Sequence, residues 1–169
     1  MMRHVLPLAL AASALSLGAL AQDVPEQNLE KGELPDASSA QQGARLLLSA
    51  ASAGDPILAR AFFFPAPAFL VLKDAKNPAG YHELLMRAFD EDVRALAKTL
   101  GNEPCALETL TLGRCRWIVP GAQANKLAYW SCRRTMLKAR CGDRLRTCEI
   151  HTLINWADTW YVTHLAAPR

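Results

Sequence analysis

Three features of the sequence predict an α+β fold. A helical grammar runs from about residue 38 to residue 100, the pattern changes after Gly101 to β-branched and aromatic runs, and turn signals divide those runs into consecutive hairpins. Helices precede strands instead of alternating with them, so the strands pair with one another as an antiparallel meander. The expected architecture is about three N-terminal helices packed in a curved, cone-like sheet of about four strands.

Over residues 38–53 the apolar positions Ala40, Ala44, Leu47, Leu48 and Ala51 recur at helical spacing, and Gly54 supplies a stop. Asp55-Pro56 places an N-cap acceptor before a proline in the first helical turn, and Asn77-Pro78 repeats the pattern. The second helix is short, because Pro65 and Pro67 follow the triple Phe62-Phe63-Phe64. The apolar stretch 61–72 is a core-packing connector, too broken to span a bilayer. The third helix, 78–100, gathers Tyr81, Leu85, Ala88, Phe89, Val93, Leu96 and Leu100 on one face. Glu83, Arg87, Asp90, Glu91, Arg94 and Lys98 take the other, while Asp92 intrudes on the apolar stripe, where a carboxylate requires a partner or water.

Strands are expected at 107–119, 126–139, 144–156 and 160–165, separated at Pro120-Gly121, Cys141-Gly142-Asp143 and Ala157-Asp158-Thr159. Three-residue turns set Arg140 opposite Arg144, and then Trp156 opposite Trp160, Ile154 opposite Val162 and Thr152 opposite His164. A two-residue turn would oppose Trp130 to Asn155 and mix polar with apolar positions, so the longer turn is preferred. A parity switch at Gly113 reads as a glycine bulge. With it, all four tryptophans share the inner face.

The ends of the chain differ from its body. Residues 1–21 carry Arg3, an apolar run and the Ala19-Leu20-Ala21 pattern of a cleavable secretory signal, which implies a periplasmic or secreted protein. Residues 22–37 form an acidic, proline-containing arm that reads as a flexible tether, and 38–169 form a single α+β domain. All five cysteines follow residue 104, a usage suited to an oxidising compartment, and at least one is left over. If residue 115 opposes residue 132, Cys115 and Cys132 form a cross-strand disulfide; Cys141 with Cys148 is the weaker pairing.

The order of elements, the segment GDPILARAFFFP and the closing Trp-x-x-x-Trp-Tyr-Val hairpin resemble the nuclear transport factor 2-like superfamily, the cystatin-like cone, over about residues 41–165. Similar combinations occur in exported bacterial members without an assigned activity. The resemblance implies a sheet wrapped around the long helix with a pocket inside. That superfamily holds isomerases, dehydratases and non-catalytic modules alike, so it selects no activity and transfers no catalytic residue.

The residues themselves favour a non-catalytic binding or interaction module with a tryptophan-lined apolar cone. Trp117, Trp130, Met136, Trp156, Trp160 and His164 are its expected ligand-binding residues. The alternative is a small lyase or isomerase with Asp92 or His164 as base and Arg134 as electrostatic stabiliser. An Asp92–Arg134 ion pair is the structural role that would absorb both groups. Arginines and lysines crowd 105–150, as on a solvated sheet face or an anion-binding surface. The partners this implies are a small apolar or anionic ligand and a homodimer through the sheet. Nucleic acid is not expected, nor a membrane span after signal removal. No metal motif, nucleophile elbow, phosphate loop or dinucleotide fingerprint occurs, so no cofactor is expected.

Overall fold

The computed structural model describes residues 24–167, and the predicted signal peptide lies outside them. Helix α1, Ser38–Ala53, ends at Gly54 in the left-handed region, φ 67°. Asp55 caps a 3₁₀ helix, Pro56–Phe62, by accepting from the Ile57 amide at 3.0 Å. Asn77 likewise accepts from the Gly80 amide at 3.0 Å to start α3, Pro78–Leu100. Between them the prolines do more than terminate: Pro65 is the N-cap and Pro67 lies in the first turn of a further short helix, α2, Ala66–Leu72. The apolar connector is therefore partly helical.

The sheet is antiparallel and open, with strands β1 (Cys105–Thr111), β2 (Arg114–Ile118), β3 (Tyr129–Cys141), β4 (Arg144–Trp156) and β5 (Thr159–His164) in a meander. The first expected strand is broken in two, and both pieces pair with β3. Two-residue turns replace the three-residue ones. Cys141 faces Arg144 and Arg140 faces Leu145, with Gly142 at φ 55°. Trp156 faces Thr159, Asn155 faces Trp160 and Ile154 faces Tyr161, around Ala157 and Asp158 at φ 50° and 59°, the mark of a type I′ turn. The expected opposition of Thr152 and His164 does occur, because a bulge shifts the register between Thr152 and Leu153.

Along β3, Thr135, Leu137, Ala139 and Cys141 are buried, yet past Arg134 the buried set includes Cys132. The same change of parity separates Leu110 from Cys115 and Ile150 from Leu153. Arg134, at φ 60°, and Gly113 beside it mark the line where the sheet turns. Gly113 is thus the parity switch that the pattern called for, but β3 and β4 switch with it.

α1 packs against β1, β5 and α3. Beyond the bend both sheet faces are covered. On one, the Trp160 indole donates to the Asp36 carbonyl at 2.7 Å and its backbone amide donates to Ser39 Oγ at 2.9 Å. On the other, Phe64 stands edge-on to Trp156 and Tyr161. Trp156 and Trp160 therefore lie on opposite faces rather than stacked together. The acidic arm makes specific contacts: Asn28 Nδ2 donates to the Ala128 carbonyl at 3.0 Å, Asn28 Oδ1 accepts from the Ala157 amide at 3.2 Å, and the Lys31 ammonium lies over the Trp130 ring.

The buried face of α3 comprises His82, Leu85, Phe89, Asp90, Val93, Ala97 and Leu100, rotated from the expected stripe. Asp90, not Asp92, is the buried carboxylate, and it pairs with Arg60 at 2.6 Å. His82 Nε2 meets the Phe64 carbonyl at 2.8 Å, which satisfies the second buried polar group on this face. Among the described residues no helix is long and apolar enough to cross a membrane.

Candidate functional site

Two disulfides anchor the sheet, Cys105–Cys141 and Cys115–Cys132. The second is the bridge expected from cross-strand opposition. Cys141 pairs with Cys105 instead of Cys148, because Cys105 stands directly opposite it in the β1–β3 ladder while the β3–β4 register sets Cys148 opposite Leu137. Cys148 is free and half-buried, and burial raises its thiol pKa.

On the sheet face under α2, the ladder registers line up a row of side chains across four strands: Arg114 opposite Arg133, Arg133 opposite Thr152, Thr152 opposite His164. The next row is Arg116, Ser131, Ile154 and Tyr161. Cationic positions on β2 and β3 thus give way to apolar ones on β4 and β5 in this second row. A groove of about 370 Å³ lies over the cationic end, lined by Arg114, Arg116, Arg133, Arg134 and His151. An inner cavity of about 120 Å³ continues from it, walled by Phe64, Phe69, Leu72, Leu85 and Ile154, with Lys73, Ser131 and His164 among its polar groups. Gln123, Ser131, Arg133 and His151 line both spaces. No aspartate or glutamate lines either one.

The rim is held by the 121–125 loop. Lys126 and Asp74 amides bond the Leu72 and Ala124 carbonyls, and Gln123 and Ala124 both sit at positive φ, 56° and 53°. Two consecutive non-glycine residues in the left-handed region store strain that surrounding contacts must hold. At the cavity floor Asn125 Nδ2 donates to Tyr129 Oη at 2.7 Å. Burial pushes the Tyr129 phenol up to about 12, so it remains a neutral hydroxyl near pH 7. Burial also lowers the pKa of His164, and the positive charges of His151, Lys73 and Arg133 add to the effect while Asp92 opposes it. The rings of His151 and His164 are 6.3 Å apart.

The sequence-predicted residues scatter over this geometry. His164 lines the cavity; Trp156 lies behind Phe64, and Trp160 is sealed under the start of α1. Trp117 and Trp130 pack edge-to-face, 5.7 Å between centroids, and Met136 is exposed. Asp92 does not pair with Arg134. Its carboxylate accepts from the Ala166 amide at 3.1 Å, whereas Arg134 Nε donates to Glu149 at 3.0 Å, because the bend turns Arg134 outward. Asp92 and His164 do share the lining of a further cavity of about 430 Å³, between α3 and the end of β5, which adjoins the inner cavity at Tyr81, Leu85, Thr163 and His164. The phenylalanines and Arg133 were missed as site residues, although FFFP at the end of a helix already marked an unusual apolar corner. Among the described residues no three His, Cys, Asp or Glu side chains cluster as a metal site would require.

Comparison with family models, with curated proteins and with solved structures finds no match for this chain.

Proposed function

We propose that the chain is an exported, non-catalytic binding module whose ligand enters the phenylalanine-walled cavity beside β3 and β4. The observation that carries this reading is the cavity itself: apolar walls from Phe64, Phe69, Leu72, Leu85 and Ile154 meet polar groups that include Lys73, Ser131, Arg133, His151 and His164. That is the composition of small-molecule sites, where apolar surface supplies affinity and a few polar groups fix orientation. Two disulfides suit an oxidising compartment, which supports export. The order of helices and meander is the reason to place the chain beside the nuclear transport factor 2-like cones, with the pocket under α2 in the place of a tryptophan-lined cone.

Trp156 is a built-in reporter, since Phe64 separates it from the cavity at a ring distance of 6.0 Å. Titration of small aromatic and aliphatic compounds, neutral and charged, is expected to give a saturable change in tryptophan emission for at least one of them. A flat response across the whole set removes the support for a small-molecule site.

A second reading, a small lyase or isomerase, is favoured by one observation: Asp92 and His164 line a common cavity. Arg134 lines the groove instead and is bound to Glu149, so the stabiliser would have to come from another group. Here Asp92→Asn would abolish turnover of a carbon acid while leaving the fold intact.

A further inference from the structure

We infer that the ligand of this site is a small carboxylate, its anionic head lying on the Arg114–Arg133–His164 row and its apolar body, about the size of one aromatic ring, filling the inner cavity. This rests on the binding-module reading and names the ligand's chemistry. Four observations carry it.

The first is a charge imbalance at fixed positions. Arg114 and Arg133, both exposed, face each other directly across β2 and β3, a like-charge pairing that a bound anion would relieve. Among the described residues the four salt bridges engage Arg60, Arg134, Arg140 and Arg144, leaving Arg114, Arg116 and Arg133 without a carboxylate. The second is the lining, which contains cations, hydroxyls and no acid in either space. Guanidinium groups grip carboxylates in forked, charge-assisted hydrogen bonds, and Ser131 adds a hydroxyl donor.

Size is the third. An apolar cavity of about 150 Å³ accommodates benzene in a well-studied engineered case. At about 120 Å³ the inner cavity suits a single ring or a short chain. Polarity is the fourth: Arg114, Arg116 and Arg133 stand on β2 and β3, and Ile154 and Tyr161 stand on β4 and β5, so an amphiphile is oriented with its head toward β2. Burial is the first cause of the lowered pKa of His164, and the positive charges of His151, Lys73 and Arg133 add to it against Asp92.

The test uses the folded, disulfide-bonded protein and three probes: phenylacetate, its neutral isostere phenylacetamide, and inorganic phosphate. Binding is followed by amide chemical shifts and by tryptophan emission. Phenylacetate is expected to saturate with shifts at Ser131, Arg133 and His151, and phenylacetamide to bind about tenfold more weakly, the loss expected from one charge-assisted contact. Arg133→Gln is expected to abolish that difference with an otherwise unchanged spectrum, and Arg140→Gln, outside the groove, to preserve it. Equal affinity for acid and amide would overturn the anionic seat and leave the binding-module reading standing. Phosphate binding as tightly as phenylacetate would overturn the amphiphile in favour of a simple anion site. Silence from all three probes would count against both readings.

Discussion

A Cβ built on Gly113 would stand 2.0 Å from the carbonyl oxygen of Arg133 and 2.4 Å from that of Arg134. Only a residue without a side chain lets the β1–β2 backbone press this closely into β3, and the sheet turns at this contact. The cationic row starts at the same place, since Arg114 follows Gly113 and pairs with Arg133.

Gly113→Ala is therefore expected to destabilise the protein by about 1–3 kcal/mol, the range for forcing a methyl into packed backbone. Because the bend sets the groove, carboxylate affinity should fall as well. Urea denaturation and phenylacetate titration of the same variant check both effects. A fully native variant with unchanged binding would show that the contact relaxes freely.

Arg60 and Asp90 join the 3₁₀ helix to α3, and the Asp90 side chain is far more buried than its partner, 12% exposed against 44%. Arg60→Ala leaves a buried carboxylate without its cation and should cost about 1–3 kcal/mol. Asp90→Leu is expected to cost less than Arg60→Ala, because it removes the buried charge together with the need for a partner. The comparison of denaturation midpoints decides the matter.

The disulfides close loops of different length, with separations of 36 and 17 residues. Chain entropy assigns about 4 kcal/mol to Cys105–Cys141 and about 3 kcal/mol to Cys115–Cys132. The double variant Cys105→Ala/Cys141→Ala should accordingly unfold at lower urea than Cys115→Ala/Cys132→Ala. In the unreduced protein Cys148 alone should react with a thiol reagent, slowly when native and rapidly when unfolded, because burial raises its pKa.

His164 has a folded pKa below its ordinary 6.5, so the unfolded chain takes up its proton first as pH falls. The resulting loss of stability is absent well above pH 6.5, grows as pH falls through that value and is complete once pH is below the folded pKa. Stability measured from pH 8 to pH 5 should therefore decline less steeply for His164→Gln than for the parent. Parallel curves would mean that His164 titrates as it does in the unfolded chain.

The two long helices were legible because their signals are local. Asn77-Pro78 caps α3 and Gly101 ends it wherever the chain goes next, and Gly54 does the same for α1. The hairpin registers were not legible, because Asn155 is polar by type and a pairing with Trp130 mixes polar with apolar positions. Asn155 is 3% exposed, and its carbonyl accepts from Asn28, more than a hundred residues earlier. The α3 stripe was misread for the same reason: Asp90 tolerates burial only because Arg60 reaches it from another element.

The sequence by itself determined the α+β class, the ends of the long helices, the meander order and the parity switch at Gly113, and it offered Cys115–Cys132 as a bridge on condition that the two residues face each other. Each depends on side-chain type, turn chemistry or short-range spacing. Tertiary structure alone decided the two-residue registers, the Cys105–Cys141 bridge, the contacts of the acidic arm, and the meeting of Phe64, Arg133 and His164 around one cavity. Those depend on which distant groups satisfy a buried polar atom or fill an apolar surface, and local periodicity carries no record of such partners.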